Sequence, residues 1–192
     1  MHKISGVYSA ALTPINEDLT INRDLYLRHC QYLMKQGHDG LAIFGTTGEA
    51  NSFSIKEKCL SIDFLIANRI DPKVLIPGTG SSSVKDSILM TKHADEHGVK
   101  GVLLLPPFYY KNVSDEGIIK YYQNIIETVG SDSLKYILYN IPQVSGVEIN
   151  FNIIENLLKL YPDNVVGIKD SSGDIEGMLK TIKYFDNLAL FC

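Results

Sequence analysis

The amino-acid sequence predicts an α/β fold in which a parallel sheet is covered by helices on both sides. Short runs rich in Val, Ile and Leu alternate with longer stretches of helical periodicity, which is typical of strand–helix–strand units. Each run begins 23 to 35 residues after the one before it, which is the length that a strand, a crossover helix and two loops require. Seven such runs occur, at residues 7–13, 40–44, 74–77, 101–105, 136–139, 165–169 and 188–191.

The stretches between these runs carry their own helix signals. Ser54 is followed three residues later by Glu57, which is the spacing of a capping box. Ser114 precedes two acidic residues, at a position where the helix dipole favours negative charge. Gly98 and Gly130 lie where helices are expected to end. The local signals and the hydrophobic period therefore predict the same helices.

The composition is that of a globular domain. Of the 192 residues, 45% are hydrophobic and 21% are charged, and 18 basic against 22 acidic side chains give a net charge of −4. Because no basic run and no apolar run of about 18 residues occurs, we expect neither a nucleic-acid partner nor a membrane span or signal peptide. The three cysteines are widely spaced and odd in number, which argues against a disulfide framework. We therefore expect a cytoplasmic location. No linker interrupts the sequence, so residues 1–192 are predicted to form one domain.

A parallel sheet covered on both faces is either an open doubly wound sheet or a closed eight-stranded barrel, and periodicity does not distinguish them. The end of the sequence favours the barrel. The sequence stops at Phe191-Cys192, inside the seventh predicted strand, whereas a (β/α)8 barrel typically needs about 250 residues. We therefore predict a (β/α)8 TIM barrel that is truncated within its seventh strand, and we expect the chain to be a fragment of a longer protein.

In either architecture, the carboxyl ends of the strands and the loops after them form the functional edge of the sheet, here called the rim. Polar side chains and glycines are concentrated there. They are Thr13, Gly45-Thr46-Thr47-Gly48-Glu49, Tyr109, Tyr110, Tyr139-Asn140 and Lys169-Asp170-Ser171-Ser172. The opposite ends of the predicted strands show no such set, so the sequence predicts a ligand site at the rim.

Lys169 is the most informative of these residues, because it lies at the end of an apolar strand. Side-chain alternation points it to the same face as Val165 and Gly167, either into the barrel or against the helices. Burial disfavours a charged amine, so a lysine in such a place can supply a neutral nucleophile for Schiff-base formation with a ketone. The alternative is an ordinary lysine that extends to solvent or pairs with Asp170.

Two other features of the rim fit Schiff-base chemistry. The phenol of Tyr139 can move the protons that addition to a carbonyl and loss of water require. The glycines of the 45–49 loop let its backbone approach a ligand, and its hydroxyl and N–H groups suit a small carboxylate such as that of a 2-keto acid. Taken singly, Tyr139 could equally be a core tyrosine, and the loop could be an ordinary glycine-rich turn.

Together, these elements resemble the pyruvate-dependent class I aldolase family that includes dihydrodipicolinate synthase and N-acetylneuraminate lyase. The similar segments occur in order along essentially the whole chain. They are Tyr8-Ser9-Ala10-Ala11-Leu12-Thr13-Pro14, Gly45-Thr46-Thr47-Gly48-Glu49, Pro107-Phe108-Tyr109-Tyr110, Tyr139-Asn140-Ile141-Pro142 with Ser145-Gly146, and Gly167-Ile168-Lys169-Asp170-Ser171-Ser172-Gly173-Asp174. Members of this family are (β/α)8 barrels of roughly 300 residues, so the resemblance implies the same barrel and a missing C-terminal part.

The resemblance also implies the roles of the rim residues. Lys169 would be the Schiff-base lysine, and Tyr139 would be the proton relay. Thr46 and Thr47, together with Gly45, would hold the carboxylate of pyruvate or of another 2-keto acid. Schiff-base catalysis needs neither a metal nor a cofactor, because the protonated imine is itself the electron sink.

Tyr109 carries an implication for assembly. By the resemblance, Thr47 would link Tyr139 to Tyr109, and in dihydrodipicolinate synthases the tyrosine at the Tyr109 position enters the site of the neighbouring subunit. A homodimer or homotetramer is therefore implied for the full-length form.

The sequence departs from dihydrodipicolinate synthases after Pro142. Those enzymes usually carry an arginine two residues beyond this proline, where a planar cation can bind the carboxylate of the incoming aldehyde. Here that residue is Val144. We therefore expect a lyase or aldolase that acts on a 2-keto-3-deoxy sugar acid, with Gln143 and Ser171 among the substrate-binding residues. The alternatives are a 4-hydroxy-tetrahydrodipicolinate synthase of lysine biosynthesis and an inactive barrel remnant with a binding role.

Other motifs point less strongly to chemistry. Gly78-Thr79-Gly80 is only part of a dinucleotide fingerprint, and no phosphate-binding loop of the Gly-x-x-x-x-Gly-Lys type occurs. His93 and His97 are four residues apart on a predicted outer helix, a spacing that can ligate a metal, but they do not form a His-Glu-x-x-His motif. A solvated helix face explains both histidines, so no metal site is predicted.

Overall fold

The structure is a computed structural model that describes residues 4–192. Within this range it has six strands, which are β1 (Tyr8–Ala10), β2 (Gly40–Ala42), β3 (Val102–Leu104), β4 (Tyr136–Asn140), β5 (Val165–Asp170) and β6 (Ala189–Phe191). The helices are α1 (Arg23–Lys35), α2 (Ile55–Ala67), α3 (Val84–Glu96), α4 (Asp115–Val129), α5 (Pro142–Ser145), α6 (Phe151–Leu160) and α7 (Ile175–Tyr184). All strand pairs are parallel, β1 with β2 and then β3 to β6 in sequence order. None of the helices described has the length and apolar character needed to cross a membrane.

The third predicted strand, residues 74–77, is wrong as a regular strand. Val74 is the last residue of a short 3-10 helix. The residues after it lie between β2 and β3 and pair with them only through isolated β-bridges. Those bridges join Leu75 to Leu41 of β2 and Gly78 to Leu103 of β3. Proline has no N–H to donate, so Pro77 interrupts the hydrogen-bond ladder. The segment still occupies a strand position, so seven neighbouring parallel positions form the sheet.

The other strands lie where the sequence predicts them, with shifted ends. β1, β2 and β3 are shorter than the predicted runs 7–13, 40–44 and 101–105, and β6 begins one residue after 188. β4 and β5 instead extend one residue beyond their predicted ends, 139 and 169. β2 ends early because Phe44 has a φ of 53°, a left-handed conformation that does not fit into a strand.

The apolar side chains form two layers on opposite faces of the sheet. Along β4, Tyr136 and Leu138 face the helices and belong to the outer layer, whereas Ile137 and Tyr139 belong to the inner layer. Successive side chains of a strand point to opposite faces, so the continuous apolar runs in the sequence follow from a sheet that is buried on both sides.

A bulge in β5 changes which of its residues share a face. Val165 pairs with Tyr136, but the next residue of β4, Ile137, pairs with Gly167, so one residue of β5 is skipped. Val165 therefore packs in the outer layer, while Lys169 pairs with the inward-facing Tyr139. The prediction that Val165 shares a face with Lys169 is wrong, because strict alternation does not hold across a bulge.

The predicted helix signals are confirmed. The Ser54 hydroxyl accepts from the Glu57 N–H and the Glu57 carboxylate accepts from the Ser54 N–H, which completes the capping box of α2. Ser114 caps α4 through the N–H of Gly117, and α4 ends at Gly130 with a φ of 66°. Gly98, with a φ of 71°, follows the end of α3.

The sheet is curved and open on one side. Within residues 4–192, β1 pairs only with β2 and β6 only with β5. The rings of Tyr8 and Phe191 meet edge to face across this side, with centroids 5.9 Å apart. A cavity of about 370 Å³, here called the interior cavity, lies against the inner face. Its lining includes Tyr8, Ile76, Leu103, Ile137, Lys169 and Phe191.

We expect Leu138→Ala to destabilise the fold strongly. Leu138 is fully buried in the outer layer, so its truncation leaves a cavity and lowers the free energy of unfolding by about 2–5 kcal/mol. The matched control is Leu89→Ala on α3, where the leucine is 53% exposed and the change stays within about 0.5 kcal/mol. Urea unfolding followed by circular dichroism measures both, and equal losses in the two variants would contradict the assignment of the core.

Candidate active site

The lysine and the tyrosine predicted for catalysis lie together on the inner face of the sheet. Tyr139 and Lys169 are register partners on β4 and β5, and the Lys169 Nζ lies 4.4 Å from the centroid of the Tyr139 ring. Tyr139 is buried, and Lys169 is half-buried against the interior cavity. An amine over the face of a phenol ring is attracted by the ring quadrupole. Two neighbouring strands therefore fix the amine beside the phenol ring.

The choice between the two interpretations of Lys169 also depends on Asp170. The carboxylate of Asp170 accepts from the side-chain amide of Asn140 at 3.0 Å and from the N–H and hydroxyl of Ser172. Ion pairs among the described residues do not include Lys169. Pairing with Asp170, the ordinary role considered for this lysine, is therefore not the arrangement that the structure shows.

The loop after β2 reaches the phenol of Tyr139. The Thr46 hydroxyl lies 3.2 Å from the Tyr139 hydroxyl, within hydrogen-bond distance. The loop turns sharply here, because the N–H of Glu49 donates to the Thr46 carbonyl at 3.0 Å and Glu49 has a φ of 51°. Thr46 and Thr47 are both exposed at the rim. The hydroxyl that contacts Tyr139 is thus that of Thr46, whereas a link from Thr47 to Tyr139 and Tyr109 stays a prediction.

Close packing holds this loop against β1. The Thr13 hydroxyl donates to the Gly48 carbonyl at 2.7 Å. A Cβ at Gly48 would lie only 2.8 Å from the Ala11 carbonyl oxygen, so this position has no room for a larger residue. Gly48 therefore allows the loop to pack closely against the segment after β1. Thr46 and Thr47, which precede it, are exposed.

A second cavity, here called the rim cavity, lies between this loop and the loops after β3 and β4. Its volume is about 250 Å³, and its lining includes Gly45, Thr46, Leu105, Phe108, Tyr139 and Val144. Tyr139 and Leu103 separate it from the interior cavity, because Leu103 lines both and Tyr139 contacts Lys169. Tyr139 thus borders the rim cavity and also contacts the Lys169 amine.

Val144 lies on α5 at the edge of the rim cavity and is 62% exposed. Pro142 begins this four-residue helix, and Gly146 ends it with a φ of 64°. An apolar side chain there has no donor for a carboxylate. The structure therefore places the departure from the arginine pattern at the cavity.

The neighbouring Gln143 and Ser171 are in contact with each other. The Gln143 amide donates to the Ser171 carbonyl at 2.5 Å, and the Ser171 N–H donates to the Asn140 carbonyl at 2.8 Å. These bonds join α5 to the loop after β5. Gln143 therefore uses its N–H group within the protein, and its role toward a substrate stays a prediction.

Asn140 is a structural residue of the site, which the sequence places at the rim but to which it gives no role. Its amide donates to Asp170, and its carbonyl oxygen Oδ1 accepts from the Ile149 N–H at 3.0 Å. Asn140 is buried, so these bonds are needed to satisfy its polar atoms. They hold the ends of β4 and β5 together next to Tyr139 and Lys169. The sequence places Asn140 at the rim and in a family-like segment, but it does not indicate these two partners.

The tyrosines predicted for the rim after β3 lie apart from the buried pair. Tyr109 and Tyr110 are 72% and 76% exposed, and their rings meet edge to face with centroids 5.1 Å apart. Two large aromatic side chains left exposed side by side are more common at interfaces than on free surfaces. The entry of Tyr109 into a neighbouring subunit stays a prediction.

The fold and the site define a class: parallel (β/α) barrel proteins with a lysine and a tyrosine paired at the carboxyl-end rim. The chain belongs to the dihydrodipicolinate synthetase family, which it matches over residues 3–192. The predicted family is thereby confirmed.

Two named relatives match nearly all of this chain, and the chain covers about three fifths of each of them. It is 34% identical over 187 residues to an uncharacterized DapA-like lyase of Chloroflexus aurantiacus, which is 97% of this chain and 62% of that protein. It is 36% identical over 179 residues to the 4-hydroxy-tetrahydrodipicolinate synthase of Bacillus subtilis, which is 92% of this chain and 59% of that protein.

Solved structures agree with this assignment. The crystal structure of dihydrodipicolinate synthase from Agrobacterium tumefaciens superimposes with a TM-score of 0.93 at 31% identity, over 96% of this chain and 64% of that one. The predicted fold, a (β/α)8 barrel cut short, is therefore confirmed.

Proposed function

We propose that this chain carries the Schiff-base site of a pyruvate-dependent class I aldolase. The single observation that carries the proposal is the contact between Lys169 and Tyr139, an amine 4.4 Å from the centroid of a phenol ring on the inner face of the sheet. Structural lysines of barrel proteins normally extend to solvent. Here the amine is half-buried and the adjacent aspartate is engaged by neutral donors.

The chemistry follows from these groups. The amine of Lys169, in its unprotonated form, attacks the ketone carbon of pyruvate. The nitrogen then loses a proton and the carbonyl oxygen takes one, which gives a carbinolamine with a hydroxyl group at that carbon. Loss of that hydroxyl as water leaves a protonated imine. The phenol of Tyr139 delivers and recovers these protons, and the Thr46 hydroxyl, 3.2 Å from the phenol, holds it in position.

Carbon–carbon bond cleavage uses the same imine. When a longer 2-keto acid is bound, its C4 hydroxyl loses a proton, the C3–C4 bond breaks, and its electron pair moves into the imine to give an enamine and a free aldehyde. Protonation of the enamine carbon and hydrolysis then release pyruvate and restore the lysine. The exposed threonine loop at 46–47 supplies hydroxyl donors for the substrate carboxylate.

The rim cavity supports a sugar acid as the longer substrate. Val144 at its edge offers no cation to a second carboxylate, so a hydroxylated tail fits better than an aldehyde that carries its own acid group. The sequence relatives favour the other candidate, because the Bacillus subtilis protein is a 4-hydroxy-tetrahydrodipicolinate synthase. The sugar-acid aldolase and the 4-hydroxy-tetrahydrodipicolinate synthase therefore differ in the second substrate, the aldehyde that is released or added.

Borohydride trapping tests the proposal. The chain is incubated with pyruvate and sodium borohydride, digested and mapped by mass spectrometry. We expect one reduced pyruvyl group on Lys169 and none without pyruvate. A folded protein that stays unmodified, or that is modified equally at several lysines, would contradict the proposal. Release of pyruvate from N-acetylneuraminate or 2-keto-3-deoxygluconate then identifies the substrate.

An inactive barrel remnant remains the second candidate, and a specific observation favours it. In residues 4–192, β1 and β6 each pair on one side only, and unpaired strand edges promote association. Gel filtration and hydrogen exchange distinguish the two. Rapid exchange of the β1 and β6 amides with aggregation supports the remnant. A discrete dimer or tetramer with slow exchange supports the enzyme and the proposed role of Tyr109.

We expect Val144→Arg to change the substrate preference. A guanidinium at the rim cavity can bind a carboxylate with two hydrogen bonds, so the KM for succinate semialdehyde with pyruvate should fall by about 10-fold. Val144→Met is the matched control, because it adds length without charge. Steady-state kinetics measure both variants, and the same fall in KM for Val144→Met would contradict a role for charge.

A further inference from the structure

A cluster of metal-ligating side chains lies between α2 and α3, outside the candidate active site. Asp63 comes from α2, and His93 and His97 come from the last turn and the end of α3. The Nε2 atoms of His93 and His97 lie 2.7 Å and 2.8 Å from the same carboxylate oxygen, Oδ1 of Asp63. The ligand atoms of these three residues all lie within 4.8 Å of one another. Side chains from α2 and α3 thus bring three potential metal ligands close together.

One of these contacts is not a hydrogen bond. The Nε2 of His97 forms a hydrogen bond with the carboxylate at 2.8 Å. The Nε2 of His93 is buried and lacks a hydrogen-bond partner in the part of the chain that is described, although it lies close to the same oxygen. A buried ring nitrogen without a hydrogen-bond partner is costly, and this one lies 2.7 Å from the carboxylate oxygen of the cluster. It is the observation that points to a ligand.

The donor set selects the kind of ligand. Two imidazoles and one carboxylate suit Zn²⁺ and other borderline divalent ions, whereas Ca²⁺ and Mg²⁺ prefer oxygen donors alone. Neighbouring ligand atoms on tetrahedral zinc are about 3.3 Å apart, since zinc bonds to nitrogen and oxygen are about 2.0–2.2 Å long. The two nitrogen-to-oxygen distances are about half an ångström shorter than this, and all the ligand atoms lie within 4.8 Å of one another, so side-chain rotations would be needed to accommodate the ion.

We propose that Asp63, His93 and His97 form a zinc-binding site that links α2 to α3. The side chains are 42%, 22% and 31% exposed, so an ion can reach them and keep a water molecule as its fourth ligand. Histidines at i and i+4 on one helix present their rings to the same face. Cys59 lies one helical turn before Asp63, and burial raises the pKa of its thiol, which makes it a poorer competitor for the ion.

The place of the cluster in the fold indicates a structural role. The crossover helices run antiparallel to the strands, so the carboxyl-terminal turns of α2 and α3 lie toward the end of the barrel opposite the rim. The ion would therefore stabilise the packing of two outer helices and would take no part in chemistry at Lys169. The negative end of the α3 dipole, at His97, also favours a cation there.

Zinc titration of the tag-free chain tests the site. We expect calorimetry to show one Zn²⁺ per chain at low micromolar affinity or tighter, and saturating zinc to raise the melting temperature by several degrees. Loss of one ligand in His93→Gln or His97→Gln should weaken binding by at least about 10- to 100-fold. Mg²⁺ at the same concentration should leave the melting temperature unchanged.

The matched controls are His29→Gln and His38→Gln, which remove a histidine outside the cluster and should leave zinc affinity unchanged. Circular dichroism without metal checks that each variant is folded. The proposal is overturned if the wild-type chain takes up no zinc, or if folded His93→Gln and His97→Gln bind it as tightly as the controls do. The outcome is independent of whether pyruvate is trapped on Lys169.

Discussion

Replacing Lys169 with alanine is expected to abolish pyruvate-dependent chemistry. Without the amine there is no imine and no electron sink, so kcat should fall by at least about 10⁴-fold, as expected when a covalent nucleophile is removed. Trapping with pyruvate and borohydride should disappear in the same variant. Lys169 is half-buried and outside the ion pairs of the described residues, so its loss should leave the fold intact.

The control for this prediction is Lys180→Ala. Lys180 lies on α7 and is exposed, so both activity and trapping should be unchanged. Thermal unfolding of both variants shows whether the protein is folded under assay conditions. If folded Lys169→Ala still forms a reduced pyruvyl adduct, the amine that reacts is another one, and the proposed site is wrong.

Tyr139→Phe is expected to slow catalysis while leaving the site in place. The ring remains, so the contact with Lys169 is kept, but the hydroxyl that meets Thr46 is lost. Removal of a general acid–base group should lower kcat by about 10²- to 10⁴-fold. Because the amine is still present, the borohydride adduct should form more slowly and still reach completion. Stopped-flow and quenched trapping measure this rate.

Tyr136→Phe is a matched control on the same strand. Tyr136 faces the outer layer, and its hydroxyl is buried and has no hydrogen-bond partner among residues 4–192. Its removal should leave kcat unchanged and stability equal or slightly higher, because an unsatisfied polar group is lost. If Tyr136→Phe and Tyr139→Phe lose activity equally, the loss results from disturbing β4, and the proposal that the Tyr139 phenol relays protons is wrong.

Some parts of the site follow from the sequence because they depend on local order. Strands alternate with helices, so the carboxyl ends of parallel strands meet at one edge, and Tyr139 and Lys169 must lie there. Their common position at the rim was therefore predictable once the strands were placed. The capping box of Ser54 and Glu57 was predictable for a similar reason, because its partners are three residues apart.

Other parts depend on packing between distant segments. The bulge that separates Val165 from the face of Lys169 arises from the pairing of β5 with β4, and a strand pattern of period two does not contain it. The broken strand at 74–77 depends on how Pro77 meets the ladder between β2 and β3. The hydrogen bond from the Asn140 amide to the Asp170 carboxylate joins residues that are 30 positions apart in the sequence.

His93 and His97 show the same contrast between what local sequence predicts and what packing decides. Their spacing of four residues puts both on one helix face, and the sequence alone favours a solvated surface there. Only the packing of α2 against α3 brings Asp63 to within 2.8 Å of both ring nitrogens. A helix pattern specifies which side chains share a face but contains no information about the neighbouring helix, so the prediction of no metal site considered only two of the three residues of the cluster.

The sequence alone determined the order of strands and helices, the caps and the family, because these follow from periodicity and from motifs in register. The tertiary structure decided which hydroxyl reaches the phenol, that Lys169 faces inward, and that two helices share three potential ligands. The physical reason is that hydrophobic periodicity encodes local conformation and burial. The contacts that bring distant groups within hydrogen-bond distance are set only when whole elements pack.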